Sequence, residues 1–236
     1  MKQLSKVLML GDSVLKGIQV DETTRRYVTR NEMDLPGLEA AFGLTIENKS
    51  RFGATSLHGE ALLQRFLQKG AHWDAVVMDF GGNDCNYDWA AVAADPAGEH
   101  FPAVPPADFQ ENYRRLIRTV KANGMTPILM TLPPLIPQRF FDWWCADLDH
   151  EAVRRWLGDP CNIYAHQERY SRTVERLAWE EQVPLVDVRG EFLANGHLGQ
   201  LMCLDGTHPN SAGQKLIAKA FLDFGHRLLH HDLEIA

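Results

Sequence analysis

The chain has 236 residues, enough for one α/β domain to bury a core without disulfide or metal staples. Hydrophobic residues make up 45% and charged residues 23%, which excludes collagen-like, disordered and coiled-coil chains. Lys plus Arg is 24 against 31 for Asp plus Glu, so the formal net charge is −7 and sequence-independent binding of nucleic acid or anionic lipid is not expected.

In chain order, Lys6 to Leu10 reads as a short buried strand ended by Gly11. Met33 to Phe42 reads as a helix stopped by Gly43, and Leu44 to Asn48 as a second strand. Thr55 to Gln68 is helical, with Leu57, Leu62, Leu63, Phe66 and Leu67 close to one face. Asp74 to Phe80 is a third strand, followed by Gly81-Gly82. Asp108 to Ala122 carries Phe109, Tyr113, Leu116, Ile117 and Val120 at helical spacing. Thr126 to Leu132 is a fourth strand, a long helix covers about Asn162 to Glu181, Val183 to Val188 is a fifth strand, and Ser211 to Leu229 is the last helix. Short apolar strands alternating with helices predict a parallel sheet buried on both faces, a three-layer α/β/α sandwich in a single domain spanning 1–236. Two connections, 84–107 and 133–160, are unusually long and follow strands, so both should meet the ligand-binding edge of the sheet. A short helix is expected within the second, at Asp149 to Leu157.

Gly11-Asp12-Ser13 places a hydroxyl just beyond the first strand; taken alone, it reads better as a Ser or Asp helix cap. Asp205-Gly206-Thr207-His208-Pro209-Asn210 offers a base and its orienting carboxylate on one loop, or equally a turn capped by Asn210 or Ser211. Gly81-Gly82-Asn83-Asp84 offers a neutral amide donor for a developing oxyanion, with Asp84 placed to tie loops together through backbone N–H groups. Arg51-Phe52-Gly53-Ala54-Thr55 offers a backbone N–H from Gly53, though taken alone it reads better as an ordinary loop glycine before a helix. Each signal is modest alone, but all four flank strands of one parallel sheet.

In these four blocks and their order the sequence resembles the SGNH hydrolases, the GDSL esterase/lipase superfamily, over essentially its whole length. Val14 stands where the family's name residue is leucine. The resemblance implies a flavodoxin-like five-stranded parallel sheet of order 2-1-3-4-5. It implies Ser13 as nucleophile, Asp205 and His208 as the other triad members, and the Ser13 N–H, Gly53 and Asn83 as oxyanion-hole donors. The expected activity is hydrolysis of a small-molecule carboxylic ester, with a small acyl group such as acetyl on a sugar or polyol. Acyl transfer by the same triad and a catalytically silent binding protein are the alternatives. No metal or organic cofactor is called for. Asp84, Trp143 and Trp144 are candidate substrate contacts, the tryptophans equally fit to cover core.

Cys85, Cys145, Cys161 and Cys203 form no CxxC pair and read as free thiols. The apolar run Val7 to Leu10 is too short for a secretory core, and no stretch approaches the ~18 apolar residues of a membrane span. A cytoplasmic protein without membrane insertion is expected. His226 and His230 stand four apart, where a solvated helix end is favoured over a metal pair.

Overall fold

The computed structural model describes residues 4–229. His230 and His231, and with them the His226–His230 pairing, lie outside the described residues. The first strand, β1 (Lys6–Gly11), leads into a one-turn helix, α1 (Ser13–Lys16). A small antiparallel hairpin follows, β2 (Ile18–Val20) and β3 (Tyr27–Thr29). Then come α2 (Leu35–Phe42), β4 (Thr45–Asn48), α3 (Ser56–Gln68) and β5 (Ala75–Asp79). The first long connection carries α4 (Trp89–Ala94), ahead of α5 (Pro106–Ala122) and β6 (Thr126–Met130). The second carries α6 (Pro137–Trp144) and α7 (His150–Leu157), ahead of α8 (Cys161–Glu180). The chain finishes with β7 (Leu185–Val186), α9 (Val188–Asn195), α10 (Leu198–Leu201) and α11 (Ser211–Leu229).

The main sheet runs β4-β1-β5-β6-β7, and every pairing is parallel. Setting the hairpin aside, this is the expected 2-1-3-4-5 order. The strand period of two divides β1 between two cores. Leu8 and Leu10 face α3, α5 and α8, among Leu63, Tyr113, Leu116 and Val174. Val7 and Met9 face α2, α9 and α11, among Leu38, Phe192, Ile217 and Phe221. Burying each such side chain contributes about 1.5–3 kcal/mol, and this fixes the register as well as the fold.

The two long connections are folded as well. Asp88 caps α4 by accepting the Ala91 N–H (3.0 Å), and Pro137 sits where a helix start tolerates a missing N–H. Trp89, Phe140, Phe141, Val153 and Ile163 form a third apolar cluster over the end of the sheet. Among the described residues no helix is long and apolar enough to cross a membrane.

Candidate active site

Because the sheet is parallel, β1, β4 and β5 all deliver their C-terminal ends to one edge. Asp12 caps α1, its Oδ1 accepting the Val14 N–H at 2.8 Å. The cap and the placing of the hydroxyl are therefore one device, because Asp12 fixes the helix start at which the next residue, Ser13, meets His208. Ser13 Oγ lies 2.8 Å from His208 Nε2, and His208 Nδ1 lies 2.5 Å from Asp205 Oδ2. An ionised carboxylate only accepts, so Nδ1 carries the imidazole proton and Nε2 is left to accept from the serine hydroxyl. Asp205 Oδ1 also takes the backbone N–H groups of Thr207 (3.2 Å) and His208 (3.1 Å). Gly206 makes this tight turn at φ +72°, and a Cβ there would lie 2.6 Å from the Ile136 carbonyl oxygen. Asn210 caps α11 by accepting from Ala212 and Gly213, and Gln214 Nε2 donates to the Val14 carbonyl (3.1 Å). Those bonds hold the histidine loop against the serine helix.

Asn83 joins the remaining loops. Its Nδ2 donates to the Ala54 carbonyl (2.9 Å) and to Asp12 Oδ2 (3.3 Å), which sets the amide between the neighbours of Ser13 and Gly53. Gly53 takes φ +75°, a backbone conformation that glycine adopts without strain. The Ser13 N–H, at the first position of α1, has no acceptor within its helix. Asp84 corrects one expectation: it has no exposed surface and does not face substrate. It accepts the Ser56 N–H (2.9 and 3.1 Å) and the Ser56 hydroxyl (2.5 Å), and Asn112 Nδ2 donates to that hydroxyl (2.9 Å). This clamp ties the Asn83 loop to the start of α3, the loop-tying role that its residue type also allowed.

The sequence from residue 9 to residue 216 matches the model of the GDSL-like Lipase/Acylhydrolase family. The chain belongs to this family. It is accordingly a hydrolase of the esterase and acylhydrolase type. No curated protein matches it by sequence. Among solved structures it is similar to the lipase/acylhydrolase from Enterococcus faecalis, with 20% identity over 99% of each chain and a TM-score of 0.65. It is also similar to an acetylxylan esterase from Geobacillus stearothermophilus, with 23% identity over 95% of this chain and 96% of that one, TM-score 0.65. An α/β hydrolase from the metagenome of Lake Arreo, Spain, gives 23% identity over the same shares and a TM-score of 0.67.

In this acylhydrolase two further aromatic residues meet His208. The Tyr27 ring stands edge-on to the imidazole at 5.3 Å, and the Phe52 ring stacks on it at 6.0 Å. Together they leave His208 only 4% exposed. Burial, then the Asp205 carboxylate, pushes the Tyr27 hydroxyl up, so it stays protonated. Trp143 is one contact further out: its Nε1 donates to the Tyr27 hydroxyl (2.9 Å), and the Arg25 guanidinium lies over its ring at 4.6 Å. Trp144 stacks near Tyr27 at 6.5 Å and on Phe140 at 5.7 Å. The two tryptophans thus brace Tyr27, which itself touches the histidine. Tyr27 had a readable signal in its hairpin, two short β-branched runs around a polar Asp21-to-Thr24 turn. Phe52 stood beside Gly53 in a block already singled out.

Behind the serine lie two buried carboxyl groups, Asp12 and Asp79, at 3% and 1% exposure. Burial pushes Asp12 up to about 7. Burial, then the neighbouring Asp12 charge, pushes Asp79 well above the usual carboxylate range, and its Oδ2 has no hydrogen-bond partner. The sign of the linkage follows. Below about pH 4 both groups are protonated whether the chain is folded or not. As pH rises the unfolded carboxyls ionise while the folded ones keep their protons, so these groups make stability fall toward and through pH 7. We predict that Asp79→Asn is more stable than the parent at pH 8, with the gap closing toward pH 4. Urea unfolding at both pH values checks this, and a gap independent of pH contradicts it.

Proposed function

We propose that the chain is a single-domain serine esterase acting on small acyl esters, with acetyl on a sugar or similar polyol as the preferred class. The observation that carries this reading is the hydrogen-bonded run Asp205–His208–Ser13 at the C-terminal edge of a parallel sheet. The acetylxylan esterase among the structural relatives and the abundance of aromatic residues around the site support the substrate class.

In this mechanism Ser13 Oγ attacks the ester carbonyl carbon as His208 Nε2 takes its proton. The carbonyl oxygen gains the negative charge and is met by the Ser13 and Gly53 N–H groups and by Asn83 Nδ2, which gives up its longer bond to Asp12 Oδ2 (3.3 Å) and keeps the one to the Ala54 carbonyl. His208 then gives the proton to the departing alcohol, leaving an acyl-serine. Water attacks that ester, again losing a proton to His208, and the acid leaves as Ser13 is reprotonated. Asp205 holds the tautomer and stabilises the imidazolium. The mechanism needs no cofactor.

The test is hydrolysis of p-nitrophenyl esters from acetyl to long-chain acyl. Turnover falling steeply with chain length is the expected result; a preference for long chains contradicts the small-acyl assignment. In the same assay Asn83→Ala lowers kcat by about 10²–10³, because one oxyanion donor of three is lost. A loss under threefold removes Asn83 from that role.

A further inference from the structure

Beside the candidate active site lies a cavity of about 210 Å³, lined in part by Gly82 and Thr207. These are the chain neighbours of Asn83 and His208, which puts the cavity next to the proposed oxyanion donor and base. Its aromatic walls come from the long connections: Tyr87 packs edge-on against Trp156 (4.9 Å) and Trp89 (5.7 Å).

The polar groups are set in definite directions. Trp89 Nε1 donates to Asn86 Oδ1 (2.9 Å), which turns the Asn86 amide nitrogen free as a donor. Asn162 Nδ2 donates to the Leu157 carbonyl (2.9 Å), which leaves its Oδ1 to accept. Thr207 adds a hydroxyl. Among the described residues no Lys, Arg, Asp or Glu side chain lines the cavity. His166 lines it too, and burial followed by the Arg169 charge lowers its pKa, so it is neutral at pH 7.

This lining discriminates between occupants. An alkyl acyl chain would strip water from Asn86, Asn162 and Thr207 and return no hydrogen bond. An anionic group would find no cation. An uncharged ring with apolar faces and hydroxyl edges satisfies both the aromatic walls and the amides. We propose that this cavity holds the alcohol half of the ester, and that this half is a neutral polyhydroxylated ring such as a pyranose. The proposal rests on the esterase reading above and assigns Asn86 and Trp156 as specificity-determining residues.

The test compares kcat/KM for a mono-O-acetylated methyl pyranoside with kcat/KM for ethyl acetate, in the wild type, Asn86→Leu and Trp156→Ala. The ratio does not depend on the folded fraction, so a partly unfolded variant remains informative. The wild type favours the pyranoside, and each variant lowers the ratio about tenfold. An unchanged ratio in both variants, with Ser13-dependent hydrolysis intact, overturns the cavity assignment and leaves the esterase reading standing. If the wild type hydrolyses neither ester, the esterase reading fails, and saturation-transfer NMR with the unacetylated methyl pyranoside decides the cavity alone. Signal in the wild type that is lost in Asn86→Leu supports the ring site; no signal in the wild type overturns it.

Discussion

Ser13→Ala lowers kcat on p-nitrophenyl acetate by about 10⁶ while the protein stays folded. The size of the effect follows from the proposed chemistry, since among the described residues Ser13 supplies the hydroxyl bonded to His208 Nε2. What remains is the modest acceleration that oxyanion donors and substrate binding supply by themselves. Ser13 is buried, but the substitution removes only one oxygen and leaves no more than a small void beside His208. The cost is an unpaired Nε2, about 1–3 kcal/mol at most. Steady-state kinetics with a thermal melt on the same sample checks both halves. Activity retained within tenfold, or a variant that fails to fold, contradicts the reading of Ser13.

Asp205→Asn is the second large loss, about 10⁴ in kcat. The buried carboxylate accepts three N–H donors: His208 Nδ1, the His208 backbone and the Thr207 backbone. An asparagine has one acceptor oxygen and one donor nitrogen. If the oxygen keeps the two backbone donors, its NH₂ faces Nδ1 and demands that Nδ1 accept. The proton then moves to Nε2, where it can no longer receive one from Ser13. If the oxygen turns to Nδ1, two backbone N–H groups face an NH₂. Either arrangement removes the base or the turn that presents it. The pH–rate profile of the variant separates this from simple destabilisation: activity recovers at high pH where hydroxide replaces the base, whereas a misfolded protein recovers none. A kcat within threefold of the parent excludes Asp205 from the triad.

Much of the frame is legible because burial on both faces leaves a plain signature. Val7 and Met9 against Leu8 and Leu10 read as one strand between two cores, and Phe109 to Val120 read as one helix face. The fifth strand was legible in place but not in length. Val183 to Val188 reads as a six-residue strand, yet among the described residues only Leu185 and Val186 pair. Pro184 has no N–H to give, and Asp187 accepts from Gly190 (2.9 Å) and from Thr131 (3.0 Å), so it caps α9 and ends the strand. The helix expected from Met33 starts at Leu35 for a similar reason, Asp34 accepting the Gly37 N–H (3.2 Å).

The meeting of Ser13, Asp205 and His208, with Asn83 beside them, was readable because each residue type stands next to a strand end or helix start. Tyr27, Phe52 and the wall residues Tyr87 and Trp156 were not singled out. Their roles depend on which segments meet in space, and neither the hairpin pattern around Tyr27 nor the helical place of Trp156 says what the ring will face. Asp84 shows the converse error: a carboxylate beside a motif reads as a substrate contact until its burial against Ser56 is seen.

The most direct measurement is covalent capture. The native protein is treated with a fluorophosphonate, digested, and its peptides mapped by mass spectrometry. One adduct is expected, on Ser13, formed quickly by the parent and not by His208→Ala, because the hydroxyl needs its base to displace fluoride. No adduct on a folded protein, or an adduct on another residue with Ser13 unmodified, contradicts the claim that Ser13 is the nucleophile.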